Sequence, residues 1–386
     1  MKRIPRHIAN DTLATARQFR AVCIVGPRQS GKTTLSRMIF GNKPYVSFEN
    51  PTTESEAISD TETFLKQYEK GAIFDEVQRM PNVFRYLQGI LDASEARGRF
   101  ILTGSNNFLL QEHLSQTLAG RVGYLELLPL SYGELKDAKL ARHELHKIIL
   151  TGGYPEIWQQ KLDATKWMAS YVQTYVQRDV RLLRNISNLG LFNRFIQLCA
   201  NHAGQVINKD SLAKATGVDS KTVTSWLAVL ESSYILYLLQ PYHDNLNKRV
   251  IKSPKLYFYD TGLLCYLLGI HTEAVLKKHP KFGALFENWI ISEVKKNHLN
   301  RGIKPRMYFF RDSAGNEVDL LLEKEGEPIA IEIKSGTSFN REMLGGLRYW
   351  AKYNQNKKGI LLYRGEPMDT ENGLLSIMNW KEVAGF

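Results

Sequence analysis

Cysteine is scarce in this chain: Cys23, Cys199 and Cys265 are the only three in 386 residues, and each stands alone in apolar surroundings. That spacing excludes a disulfide-stapled secreted scaffold and a zinc site built on paired thiols. Long apolar runs are missing too. None approaches the roughly 20 residues that cross a bilayer, and no N-terminal segment has a signal-peptide core, so the expectation is a cytoplasmic protein without a membrane partner. Acidic residues are in deficit, with 39 Asp+Glu against 51 Lys+Arg, a net charge of +12. The excess admits nucleic acid or anionic nucleotides as partners, though by itself it reports solubility and non-specific attraction. A chain of this length can bury two or three cores.

What is present starts with Gly26-Pro27-Arg28-Gln29-Ser30-Gly31-Lys32-Thr33-Thr34, preceded by the apolar run Ala21 to Val25 and followed by a helical pattern from Leu35. The stretch fits G-x-x-x-x-G-K-[ST] in the strand, loop and helix order that a phosphate loop requires. Glycines at both ends let successive backbone N–H groups turn inward, and the helix directs its positive end at the same point. The expected ligand is ATP with Mg²⁺: Lys32 would reach the β- and γ-phosphates, and the Thr33 hydroxyl would enter the magnesium shell.

Ala72 to Val77 reads as an apolar strand ending in Asp75 and Glu76. In a phosphate-loop ATPase Asp75 would hold magnesium through water and Glu76 would polarise the attacking water. The spacing is read as placing this strand beside the loop strand. A further strand, Phe100 to Gly104, ends in Ser105 and Asn106, which could bond the γ-phosphate or the water. Alternating strands and helices predict a parallel sheet covered on both faces.

These motifs, with Leu118-Ala119-Gly120-Arg121, Pro129-Leu130-Ser131-Tyr132-Gly133-Glu134-Leu135, Gly152-Gly153-Tyr154-Pro155-Glu156 and Arg178-Asp179-Val180, resemble the AAA-type ATP-binding proteins of bacteria and archaea whose C-terminal half is a domain of unknown function with a nuclease-like fold. The resemblance spans nearly the whole chain. It implies that Ser105 and Asn106 occupy the sensor position and that Arg121 is an arginine finger, with Arg178 and Arg181 as rivals. A finger often comes from a neighbouring subunit, so the likeness implies a homo-oligomer. A surface salt bridge is the equal alternative for Arg121.

Residues 146–190 read as a helical linker after an ATPase domain at 1–145, and 191–262 as a compact winged-helix-like domain. Within it, Ser211 to Leu227 has the pattern of a helix, a Gly-containing turn and a second helix; Tyr234 to Leu239 and Lys255 to Tyr259 would form the wing. Lys214, Lys221 and Thr224 could meet DNA phosphates, while the same fold also serves as an interdomain contact.

The last region, 263–386, holds a second constellation. Glu317 to Leu322 and Ile329 to Lys334 alternate as strands, so Glu332 and Lys334, at i and i+2, share a face. Asp319, Glu332 and Lys334 match the D…E-x-K pattern of the PD-(D/E)xK nuclease fold, and Glu287 on the preceding helix matches its additional acid. In that likeness Asp319, Glu332 and Glu287 would hold Mg²⁺ while Lys334 orients or deprotonates water. Val318 stands where the motif's name has proline. Two functions remain open: an ATPase whose nucleotide state controls a DNA-directed nuclease module, or a nucleotide-dependent switch or scaffold whose nuclease-like domain only binds.

Overall fold

A computed structural model describes residues 3–105, 118–141, 144–176, 186, 188–242, 251–354, 358–368 and 375–386, and the backbone alone of 177–180. Helix α1 (Ala9–Gln18) leads into β1 (Ala21–Val25), the phosphate-loop stretch and α2 (Lys32–Ile39). Then come β2 (Tyr45–Ser47), α3 (Pro51–Ser59), α4 (Thr61–Lys66), β3 (Ile73–Asp75), α5 (Pro81–Asp92), β4 (Phe100–Gly104) and β5 (Val122–Glu126). All five strands are parallel, in the order β2-β3-β4-β1-β5. Every residue of β1 and β4 is buried, as strands covered on both faces require. One expectation is corrected: β3 is not beside β1, because β4 lies between them. Apolar runs of one length do not disclose strand order.

A helical region follows, with α6 (Tyr132–Asp137), α7 (Leu145–Thr151), α8 (Pro155–Gln160), α9 (Ala164–Tyr171) continuing as π-helix over Val172–Val180, α10 (Leu189–Asn201), α11 (Lys209–Thr216) and α12 (Ser220–Ser232). Asn208 and Asp219 cap the N-termini of α11 and α12 with their side chains, and Gly217, at φ 86°, ends α11 in the left-handed conformation.

The expected wing does not stand alone. Strands β6 (Leu236–Pro241) and β7 (Lys255–Phe258) pair antiparallel, and β6 then runs parallel to β8 (Arg306–Arg311). After α13 (Thr261–Leu267), α14 (Glu273–Lys278) and α15 (Phe282–Leu299), the chain forms β8, β9 (Glu317–Lys324), β10 (Glu327–Lys334), α16 (Gly345–Tyr353), β11 (Gly359–Tyr363) and β12 (Leu375–Asn379). The result is one sheet in the order β12-β11-β10-β9-β8-β6-β7. It crosses the boundary read at 262/263, and β12 forms its edge beside β11.

Helix α15 is buried nearly all round, which a helix at the centre of several layers must be. Its buried polar residues each find backbone. Asn288 bonds both the N–H and the C=O of Phe258 at 2.8 Å, and Asn297 donates to the Val383 carbonyl at 2.7 Å. Glu293 accepts from the Tyr132 N–H at 2.6 Å and from Lys296 at 2.8 Å, and Lys296 also donates to the Leu130 carbonyl at 3.2 Å. Those bonds fasten α15 to the segment that leaves the ATPase sheet.

The same segment is fastened to the phosphate loop by Arg6. Its guanidinium donates to Glu134 at 2.9 Å, to the Ser30 carbonyl at 2.7 Å and to the Leu128 carbonyl at 2.7 Å. Burial would raise the Glu134 carboxyl, but the Arg6 charge and its hydrogen bonds hold it below the ordinary value. Removing one partner strands the other charge in the interior. Arg6→Met is therefore expected to cost roughly 3–5 kcal/mol in denaturant unfolding. Because the folded carboxyl is depressed, the pair's contribution is present above about pH 4.5, the ordinary carboxyl value, and is lost as pH falls through the lower folded one. A variant within about 0.5 kcal/mol of wild type would reduce Arg6 to a surface residue.

Candidate functional site

The loop curls where its glycines allow. Gly26 has φ 151°, and a Cβ there would lie 2.1 Å from the Leu127 carbonyl oxygen; Gly31 has φ 96° and opens α2. Between them Gln29 adopts φ 62°. The Lys32 ammonium, 5% exposed, donates to the carbonyls of Gly26 at 3.0 Å and Pro27 at 2.9 Å. Burial lowers its pKa against the opposing pull of Glu76 and Asp75. The buried Ser30 hydroxyl finds no hydrogen-bond partner among the described residues.

At the end of β3, Asp75 accepts from the Thr33 hydroxyl at 2.9 and 3.1 Å, from Tyr45 at 2.6 Å and from Thr103 on β4. Strand β4 thus carries Asp75 to the loop by way of its own threonine. Glu76, in the left-handed region at φ 54°, accepts from Ser105 at 2.8 Å and from Gln78. These groups face a cavity of about 450 Å³ lined by Arg28, Gln29, Gly31, Lys32, Thr33, Thr34, Asp75 and Glu76, and also by Glu49, Pro155, Glu156 and Gln159. The last three belong to or adjoin α8, so the region after the ATPase sheet closes one side. Arg28 pairs with Glu49 at 2.7 Å and lies 5.7 Å from the Tyr175 ring centroid.

The sensor assignment divides: Ser105 holds Glu76, and Asn106 lies outside the described residues. Within one chain Arg121 makes the salt bridge that was the alternative to a finger. Arg121 grips Asp92 of α5 through two bonds of 2.5 and 2.9 Å, and it precedes β5 while the loop follows β1. The strands are parallel and in register from Ala21↔Val122 to Val25↔Glu126, so roughly 16 Å of strand separates Arg121 from its own loop. Arg181 and the Arg178 side chain lie outside the described residues. Sequence reasoning missed Arg6, Tyr45, Thr103 and Gln78. Of these only Gln78 carried a signal, its position two residues after Glu76.

The C-terminal constellation comes together only in part. The β9–β10 register, Leu320↔Ile331, continues to Asp319 opposite Glu332. Asp319 accepts from the Ile333 N–H at 2.8 Å, and Lys334 pairs with Glu332 and lies 3.5 Å from Asp319. Glu287 of α15 accepts from Tyr257 at 2.5 Å and from Lys255 at 3.2 Å; Lys255 also pairs with Glu317. Among the described residues no three His, Cys, Asp or Glu side chains are grouped to hold a metal ion. The expected ligand set of Glu287, Asp319 and Glu332 is therefore not formed. Two lysine amines neutralise these acids instead, and one of them, Lys255, comes from the strand read as a wing.

Burial and the neighbouring Asp319 push Glu332 up to about 8, against the pull of Lys334. Burial likewise pushes Glu287 up to about 7, with Lys255 opposing and Asp319 adding to the rise. The buried Oε2 of Glu332 has no hydrogen-bond partner among the described residues. A carboxyl raised in the fold contributes stability that is complete below the ordinary value near 4.5 and is lost as pH climbs through about 8. Glu332→Gln removes that loss. Its unfolding free energy relative to wild type should rise by roughly 3–5 kcal/mol between those two pH values. A pH-independent difference would mean that the carboxyl titrates normally.

Three families match the chain in succession: AAA domain over residues 18–136, domain of unknown function DUF8612 over 142–274, and domain of unknown function DUF4143 over 282–382. Uncharacterized proteins of Mycobacterium bovis and Mycobacterium tuberculosis are each 32% identical over 333 residues, covering 84% of this chain and 73% of theirs. One of Haemophilus influenzae is 22% identical over 342 residues, covering 80% and 81%. Among solved structures, the Walker-type ATPase PABY2304 of Pyrococcus abyssi covers 67% of this chain and 94% of its own at 16% identity, with a TM-score of 0.45. No helix among the described residues is long and apolar enough to cross a membrane. An AAA-type ATP-binding domain with a phosphate loop occupies the N-terminal third of this chain and precedes two domains of unknown function, and the chain belongs to the family of these mycobacterial proteins.

Proposed function

We propose that this protein is a magnesium-dependent ATPase whose nucleotide state is read by its C-terminal domain. The observation that carries the reading is the contact between the Thr33 hydroxyl and the Asp75 carboxylate beside the buried Lys32, at the mouth of a curled glycine loop. The residues fit the ligands. Among the described residues the Ser30 hydroxyl is unpartnered and Lys32 bonds only its own loop's carbonyls, and positive φ at Gly26 and Gly31 lets the intervening amides turn inward. Thr33 and Asp75 would hold Mg²⁺, which supplies charge neutralisation on the phosphates when bound.

In this reading Lys32 leaves its carbonyls for the phosphate oxygens, and Glu76, oriented by Ser105 and Gln78, accepts a proton from the attacking water. Arg121, half-buried and far from its own loop, would leave Asp92 to serve the loop of a neighbouring copy, which makes the working form a homo-oligomer. Transmission runs from Ser30 through Arg6 to Glu134, then through Tyr132 to Glu293 on α15. Glu287 lies about 9 Å further along the same helix.

A second reading adds DNA cleavage at the C-terminal site. It is favoured by the meeting of Asp319, Glu332 and Lys334 on facing strands and by the unpartnered Glu332 oxygen. The ion pair of Lys255 with Glu287 opposes it in this conformation, since it satisfies one of the acids a metal would need.

Lys32→Ala should abolish binding of a fluorescent ATP analogue, whereas Glu76→Gln should keep binding and lower turnover about 100-fold or more. Turnover in Glu76→Gln equal to wild type would remove Glu76 from the reaction. For the second reading, plasmid and single-stranded DNA are incubated with Mg²⁺ or Mn²⁺, with and without ATP. Cleavage lost in both Glu332→Ala and Lys334→Ala supports a nuclease, and cleavage surviving both marks contamination and leaves the switch alone.

A further inference from the structure

A second cavity of about 730 Å³ opens at the end of the ATPase sheet opposite the phosphate loop. Its rim is built from residues that precede strands: Lys43 before β2, Lys70 before β3, and Arg97 and Arg99 before β4. The loop, by contrast, follows the C-terminal end of β1, so the two cavities share no lining residue.

Two helices face each other across the space. From α4 and the residues just after it come Glu62, Leu65, Lys66 and Glu69, and from α5 and its C-cap come Tyr86, Gly89, Ile90 and Ala93. Both sets follow the i, i+3, i+4, i+7 spacing of a single helical face. Such faces normally pack on each other. Here Arg99 bridges the ends of the two faces, its guanidinium donating to the Glu69 carbonyl at 2.6 Å and to the Ile90 carbonyl at 3.2 Å. The Gly89 position is open: a Cβ there would meet no heavy atom within 4 Å. Tyr86 remains 44% exposed at the edge.

The charge is one-sided, with five basic residues against Glu62 and Glu69. Lys66 is paired with Glu62 at 2.9 Å, and Arg97 is occupied by the Gln18 carbonyl. Lys43 donates only to the Arg99 carbonyl at 3.1 Å, and neither it nor Lys70 has a carboxylate partner among the described residues. An ammonium part-buried beside a guanidinium is destabilised by both burial and repulsion, and an anion would relieve both.

We propose that this cavity binds a small organic anion with a flat apolar body, whose ring or chain lies between α4 and α5 and whose carboxylate or phosphate meets Lys43 and Lys70. The volume is that of a small-molecule cleft, within the range of about 300–1,000 Å³, with Leu65, Tyr86, Ile90 and Ala93 as its apolar wall and a basic rim. A nucleotide triphosphate does not fit the chemistry, because no curled glycine backbone is present to receive it.

The probe is 8-anilino-1-naphthalenesulfonate, an anionic fused aromatic, compared with the neutral N-phenyl-1-naphthylamine by fluorescence titration of the full chain. Gly89→Phe fills the space from a helical position with ordinary φ, and replacing glycine there favours the helix. Its thermal midpoint and its binding of a fluorescent ATP analogue should match wild type while the sulfonate's binding is lost. The double variant Lys43→Gln/Lys70→Gln should weaken the sulfonate about tenfold or more and leave the neutral probe unchanged. The proposal is overturned by Gly89→Phe binding the sulfonate as wild type does, or by the neutral probe binding wild type equally tightly.

Discussion

One guanidinium fixes the geometry on which the nucleotide site rests. Arg6 reaches a carboxylate and two carbonyls from a single planar group, and a lysine in its place would supply neither the fork nor the span. Glu134 is equally filled, accepting from Arg6, from the His7 N–H at 2.9 Å and from the Ser131 N–H at 2.9 Å, while Ser131 completes the capping box of α6. A buried ion pair is worth keeping only when all its valences are met. Here they are, and the consequence is positional: the back of the phosphate loop and the start of the segment leading to α15 are tied to the same atoms.

The two acidic regions of the molecule show what partners do to equally buried carboxyls. Glu134 and Glu332 are both removed from water. The first, saturated by donors, stays below its ordinary value, and the second, beside Asp319 and with one oxygen unpartnered, is driven well above it. Saturated charge serves architecture. A carboxyl whose burial Lys334 offsets only in part marks a place where the fold tolerates a cost, the pattern found at binding and catalytic sites.

How much of this was legible follows from how local each feature is. The loop from Gly26 to Thr33 and the pair Asp75-Glu76 were readable because their chemistry demands fixed spacing over a few residues. The Asp319, Glu332 and Lys334 face was readable from strand alternation and one hairpin. Strand order was not: nothing in Phe100 to Gly104 says that it inserts between β1 and β3. Arg6 was invisible because its partner lies 128 residues away. Arg121 was recognised by its surroundings, yet only three-dimensional placement separates its position before β5 from the loop after β1.

Lys255 shows why a local reading misjudged the C-terminal site. Its alternating neighbours Leu256, Tyr257 and Phe258 have the pattern of a small β-pair, and that pair exists, but β6 continues it into the larger sheet. Once the sheet runs on, Lys255 is 1% exposed and its amine can be satisfied only by the acids it faces, Glu287 and Glu317. Burial opposes its charge, and those carboxylates raise its pKa in spite of that, so the amine stays protonated. A cation arriving at Glu287 must therefore displace an ammonium already bonded there. Helix α15, which carries Glu287, is also the helix whose Glu293 and Lys296 hold the segment leaving the ATPase sheet. The contacts from the two ends of the chain thus meet on one helix.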